Sequence, residues 1–243
     1  MASNASVICK FSDGTVGYLR NAVTLDAATE VKTDASGLLN IAGNLSVGQA
    51  FQGKTLTHAA VKVQTDSATS GAFGYASIIG VDGSIIGAIQ GGGTQTSGLP
   101  RLKKPIRMQT GVKINVFAQA VGDAVQYASL AVYCASGKFE IFQGLAVDAT
   151  NVSMTSVIGG ATIGEALAGQ TIVCYYATYS STNGLADTGV ADGINALFCE
   201  DAQGQLKAMM YTGQGLGNPD QIPWVEDSFK ILQNDTLTVR ANV

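Results

Sequence analysis

Ala5-Ser6-Val7-Ile8-Cys9-Lys10-Phe11-Ser12-Asp13-Gly14 returns in altered form as Ala128-Ser129-Leu130-Ala131-Val132-Tyr133-Cys134-Ala135-Ser136-Gly137, 123 residues further on. In both stretches the apolar residues alternate at a period of two, Val7/Cys9/Phe11 and Leu130/Val132/Cys134. That period puts one face of a strand inward. Asp13-Gly14 and Ser136-Gly137 follow as hairpin signals, because glycine tolerates the positive φ of a tight turn.

Working outward, the same register carries Val16 and Tyr18 onto Phe139 and Ile141, and after one deletion Leu25-Asp26 onto Val147-Asp148. Val47-Gly48-Gln49-Ala50-Phe51-Gln52-Gly53-Lys54-Thr55 lies over Ile163-Gly164-Glu165-Ala166-Leu167-Ala168-Gly169-Gln170-Thr171 at an offset of 116. Gly111-Val112-Lys113-Ile114-Asn115-Val116 lies over Asn234-Asp235-Thr236-Leu237-Thr238-Val239, back at 123. Three collinear blocks are what duplication followed by loop insertion and deletion leaves behind. The expected organisation is two tandem domains, 1–122 and 123–243, with Val121 to Tyr127 as the joint. The joint has no Pro or Ser-rich stretch of the kind that makes a loose tether.

Further period-two runs are Leu56/His58/Ala60, Val112/Ile114/Val116, Phe139/Ile141, Ile172/Cys174/Tyr176 and Leu237/Val239. Asp82-Gly83, Asn183-Gly184, Asp192-Gly193 and Gln203-Gly204 punctuate them, and Gly14 and Gly83 are expected to close hairpins. No window of a dozen residues sustains helical spacing without a glycine. The fold class is all-β: two tandem antiparallel β-sandwich domains of about eight strands each, related by internal duplication. A jelly roll is the first choice of topology and an immunoglobulin-like sandwich the second.

The chain is 46% hydrophobic and 13% charged, with 30 glycines and a formal net charge of -4. Soluble monomers carry about 25% charged residues, so this composition points to a surface covered by neighbouring copies. No apolar run reaches the roughly 18–20 residues of a spanning helix, and Met1 to Lys10 lacks the pattern of a secretory signal peptide. Cys9, Cys134, Cys174 and Cys199 are far apart and read as free, buried thiols. The Asn-x-Ser/Thr triplets at Asn4, Asn44, Asn151 and Asn234 read as chance in a Ser/Thr-rich chain.

Catalysis leaves little trace. The single histidine, His58, aligns with Cys174 and reads as a structural residue in an inward or interface position. One His and scattered Cys cannot supply three nitrogen or sulfur ligands, so no metal site is expected. The neighbours Glu226-Asp227 and Glu200-Asp201 would point to opposite faces of a strand. Gly91-Gly92-Gly93 lacks the Gly-Lys-Ser/Thr that completes a phosphate loop. The expectation is therefore no enzyme, no catalytic residue and no cofactor.

The one cationic cluster is Arg101, Lys103, Lys104 and Arg107, read either as a solvated loop or as an interface. A chain that is acidic overall and without a basic arm is not expected to bind nucleic acid tightly. The charge is unevenly divided: residues 1–122 hold 10 Lys/Arg and 6 Asp/Glu, and residues 123–243 hold 4 and 12, so +4 and -8 add to the -4 of the chain. The basic cluster aligns with Asp220, Glu226 and Asp227. Opposite charge on two sister domains would let copy one of one subunit meet copy two of the next, head to tail. Trp224, the only Trp, is a candidate core plug or interface anchor.

With tandem sandwiches, a low-charge surface and no recognisable active site, the chain resembles the double jelly-roll major capsid proteins of tailless icosahedral viruses. The resemblance is architectural and spans the whole chain. It implies a self-assembling virion subunit, assembled in the host cytoplasm, whose trimers form pseudo-hexagonal capsomers and whose partners are itself and other virion proteins. Competing readings are a tandem binding module, lectin-like or virion-decorating, and a subunit of a secreted filament or surface layer.

Overall fold

Alternating apolar residues and closely spaced glycine turns leave this chain little besides antiparallel strands. The computed structural model describes residues 4–20, 30–32, 37–64, 71–89, 99–120, 125–147, 151–181, 196–211 and 224–240. It is all-β and divides into two units, Met1–Ala120 and Val121–Val243. Asn183-Gly184 and Asp192-Gly193 lie outside the described residues.

Unit 1 runs β1 (Asn4–Phe11), β2 (Val16–Arg20), β3 (Glu30–Lys32), β4 (Leu39–Asn40), α1 (Val47–Ala50), β5 (Thr55–Gln64), β6 (Gly71–Ile79), β7 (Ile85–Ile89), β8 (Arg101–Arg107) and β9 (Lys113–Ala120). Unit 2 runs β10 (Val125–Cys134), β11 (Phe139–Val147), β12 (Asn151–Ser153), β13 (Thr155–Ser156), α2 (Ile163–Leu167), β14 (Thr171–Ser181), β15 (Ala196–Glu200), β16 (Leu206–Tyr211), β17 (Val225–Lys230) and β18 (Thr236–Arg240). Strand β10 begins at Val125, so part of the expected joint is strand.

The strand orders of the two units are the same. Unit 1 has sheets β4-β2-β1-β5-β8 and β3-β9-β6-β7; unit 2 has β13-β11-β10-β14-β17 and β12-β18-β15-β16. In unit 1 the chain changes sheet at β2–β3, β3–β4, β5–β6, β7–β8 and β8–β9. An immunoglobulin sandwich divides its strands ABED and CFG and crosses less often, so the second choice of topology is set aside. Within each unit both sheets feed one core, which makes a sandwich. Val7, Leu19 and Leu56 of the first sheet share a core with Ala76, Ile78 and Ile114 of the second. Leu130, Phe142 and Ile172 share another with Leu197, Cys199 and Leu237. Each Val, Leu, Ile or Phe among them contributes about 1.5–3 kcal/mol when fully buried.

Two expectations about facing are corrected. Phe139 and Ile141 are buried, yet the core of unit 2 is reached by Phe142, so they stand on the outer face of their sheet. In β14 a register shift against β10, between Ile172 and Cys174, inserts an extra residue. Ile172, Tyr175 and Ala177 therefore face the core, while Cys174 and Tyr176 turn outward. The shift recurs in β5 against β1, between Leu56 and His58, where Ala59 and Val61 face the core instead of His58 and Ala60.

Two one-turn helices escape a search by periodicity, being too short to show any. Ser46 and Thr162 start them with capping boxes: Ser46 Oγ accepts from Gln49 N at 3.3 Å, and Thr162 Oγ1 from Glu165 N at 3.3 Å. Each helix presses a glycine onto a strand-entry loop. Gly48 N donates to Val112 O at 3.1 Å and Gly164 N to Asp235 O at 3.0 Å. A Cβ on Gly48 would lie 2.0 Å from Gln109 O, and one on Gly164 would lie 2.3 Å from Gln233 O. Both obstacles are backbone atoms, so neither yields by a side-chain turn.

All four cysteines are buried and free. Burial pushes the Cys9 and Cys199 thiols up to about 12 and Cys134 to about 11.

Gly48→Ala and Gly164→Ala are expected to lower stability by about 1–3 kcal/mol or more, read from urea unfolding midpoints. Gly14→Ala, at φ 84° with nothing in the way, should lose only about 1–2 kcal/mol. The thiols give a pH dependence whose sign follows from their raised folded pKa. Unfolded thiols ionise near 8.5, so this contribution is complete below that pH and fades as pH rises toward the folded values. Unfolding midpoints should fall from about pH 8.5 upward, less steeply in Cys9→Ala, and thiol reagents at pH 8 should label the native protein far more slowly than the denatured one.

Candidate assembly surface

Those of the residues singled out by charge that are described lie on end strands of their sheets. Arg101, Lys103, Lys104 and Arg107 are all on β8, the last strand of the first sheet in unit 1, so the cluster is neither a loop nor a scattered set. Leu102 and Ile106 of β8 enter the core, which leaves Arg101, Lys104 and Arg107 exposed and Lys103 half-buried. An exposed strand edge invites unwanted pairing, and charges with a proline blunt it. Here Pro105 supplies the proline.

The equivalent strand of unit 2 is β17, where Glu226 and Asp227 are exposed. Asp220 lies outside the described residues. The strand registers fix the two ends of the comparison: Arg107 and Lys230, paired with Thr55 and Thr171, are both basic, whereas Arg101 and Glu226 differ. Arg101 pairs with His58 and Glu226 pairs with Cys174, each beyond an irregularity in its pairing that is longer in β8 than in β17. Arg101 and Glu226 thus occupy one position of a common sheet plan with opposite charge. His58 is half-buried on the outer face, with Nδ1 2.9 Å from Thr57 Oγ1. Among the described residues no three His, Cys, Asp or Glu side chains gather as metal ligands would.

Trp224 precedes β17 and is half-buried. Its ring meets Phe139 edge-on at 6.1 Å and 77°, and Tyr176 at 6.1 Å and 46°. Phe139 in turn lies 4.6 Å from Tyr133. Neither Phe139 nor Tyr176 belongs to the core of unit 2, so Trp224 caps an aromatic layer on the outer face of the sheet rather than plugging the core. Its indole N–H is buried without a hydrogen-bond partner.

No protein-family model, curated protein or solved structure matches this chain.

Sequence reasoning missed one polar element. Asp235 is buried and forms an ion pair with Lys207, its carboxylate also accepting from Leu232 N at 2.7 Å. By register Asp235 stands where unit 1 has the buried Val112, and Lys207 stands at the bulge position held in unit 1 by Ile86. The block alignment already set Asp235 over Val112, and an acid aligned with a core valine was the available signal. A buried pair stabilises little against its apolar replacement, but removing one member strands a charge. Lys207→Ile is expected to cost about 3–5 kcal/mol, whereas Lys207→Ile/Asp235→Val should return to within about 1 kcal/mol of the parent, measured by denaturant unfolding.

Proposed function

We propose that this chain is a self-assembling structural subunit, the major capsid protein of an icosahedral virus, built from two duplicated jelly rolls and packed as trimers into pseudo-hexagonal capsomers within the virion. The single observation that carries the reading is the strand-for-strand agreement of the two units, β1 to β9 against β10 to β18, in one chain. Two like sandwiches per chain turn a trimer into a ring of six similar blocks, and six-sided blocks tile a surface. Jelly-roll topology fits the strand orders if β1 and β10 are taken as the eighth strand of each roll moved to the front.

Charge supports the same reading. The +4 and -8 divided between the two halves make the basic unit of one copy a fitting neighbour for the acidic unit of the next. The low charge content, 13% of residues, suits a surface hidden by sister molecules rather than a freely diffusing monomer.

Electron microscopy of the purified chain, with light scattering, tests the proposal. Hexagonal tiles, shells or trimers of three times the chain mass are expected, and a monodisperse monomer at every concentration would sink it. Reversing Arg101, Lys103, Lys104 and Arg107 to Glu should raise the concentration at which the chain assembles while leaving the thermal transition in place. Raising ionic strength should weaken assembly of the parent protein, because exposed charge pairs are screened over about 8–10 Å.

A further inference from the structure

We propose that the contact between copies is made by two different faces. The outer face of the first sheet of unit 1, around Ile8, Val16 and Tyr18, docks on the outer face of the second sheet of unit 2, around Phe198, Leu206 and Met209, of a second copy. The proposal rests on the assembly reading above and specifies its contact.

Equivalent positions of the two units show reciprocal exposure. On the first sheet, Ile8, Val16 and Tyr18 correspond by register to Ala131, Phe139 and Ile141. Val16 is 61% exposed and Tyr18 41%, whereas Phe139 is 4% and Ile141 0%. On the second sheet the order reverses. Ile85 and Ala88 of unit 1 are each 5% exposed, while their counterparts Leu206 and Met209 are 55% and 40%. Each unit therefore has one outer sheet face buried and one open, and they are opposite faces.

The open faces are apolar where an outward strand position bordering solvent is ordinarily polar. On unit 1 the patch continues to the exposed Ile41, whose N–H reaches Tyr18 O at 3.3 Å. Its flanks are basic: Lys10, Arg20 and Arg101 are exposed on the same face, by their pairing with His58, Ser6 and His58 respectively. On unit 2 the flank at the β15–β16 turn is acidic, while Arg240 takes the outer-face position opposite Ala196 at the far end of β15. Glu200 pairs with Leu206 on the outer face, and Asp201 follows it in the turn. Lys207 is turned away into its ion pair with Asp235. Apolar centre meets apolar centre, and a basic rim meets an acidic one.

The geometry also explains why the occupant is another copy bound head to tail. The strips on β8 and β17 occupy the same place on their units, so they could face each other only across a two-fold-like axis. A contact between non-equivalent faces has no such restriction and propagates until a ring closes. Every chain carries one face of each kind, so no chain in a closed ring is left with an open face.

The test uses two variants of the full chain, Val16→Asp/Tyr18→Asp and Leu206→Asp/Met209→Asp. By light scattering each alone is expected to stay monomeric where the parent assembles. Mixed in equal amounts, they should form a heterodimer of twice the chain mass through the one intact face that each retains. If either variant alone assembles like the parent, this contact is wrong and the assembly reading stands. A mixture that stays monomeric at the concentration where the parent assembles overturns the pairing of these two faces. A parent chain that never assembles removes both readings at once. Should either variant lose its thermal transition, Val16→Ser/Tyr18→Ser or Leu206→Ser/Met209→Ser takes its place in the same mixture.

Discussion

A strand that sends one side chain into a core must send the next one out the other side, and both units are organised around what becomes of that second face. The cores are filled by Val7, Leu19, Leu56 and Ile114 in one unit and by Leu130, Phe142, Ile172 and Leu237 in the other. Their neighbours are the residues in which the units differ. Ala131, Phe139, Ile141 and Tyr176 make a buried apolar layer on one outer face, whereas Ile8, Val16 and Tyr18 stand open on its counterpart. With hydrophobic burial worth about 25 cal/mol per Å², an open apolar sheet face is a standing drive toward association.

That pattern sits on a scaffold whose local rules agree between the units. Both use a capped single turn to seat a glycine on the backbone of a neighbouring loop, through Gly48 and Gly164. Both place a bulge one or two residues after the start of the long strand β5 or β14, and each bulge resets which side chains face inward. Where the units part, they do so by polarity at fixed positions: Arg101 against Glu226, Val112 against Asp235, Ile86 against Lys207. Sandwich architecture tolerates such exchanges because packing and pairing, not charge, set the fold.

Much of this was legible in the sequence. Val7/Cys9/Phe11 and Val112/Ile114/Val116 face the cores their spacing assigns to them, and Gly14, Gly83, Gly137 and Gly204 take positive φ in the hairpin turns where Asp-Gly, Ser-Gly and Gln-Gly placed them. The pairing of His58 with Cys174, made by alignment, holds in the strand registers. Other features were hidden for physical reasons. A bulge leaves no mark on composition, so Ile172/Cys174/Tyr176 reads as one clean alternation although only Ile172 of the three reaches the core. Phe139 and Ile141 look like core because apolar residues on a covered outer face are chemically the same as apolar residues inside. The candidate interface was visible as charge on β8 and β17, but not as the apolar faces beside it, since exposure is a property of tertiary placement.

The position of β9 bears on how the molecule is made. It lies second in its sheet, between β3 and β6, although it is the last strand of its unit, and β18 holds the same place between β12 and β15. A chain leaving the ribosome therefore cannot complete the second layer of either sandwich until the final residues of that half have emerged. Loop-closure entropy makes such long-range pairing slow. During that interval the half-built layer shows inner apolar edges to its surroundings, so synthesis at high copy number would place a premium on chaperone capture of the nascent half-sandwich.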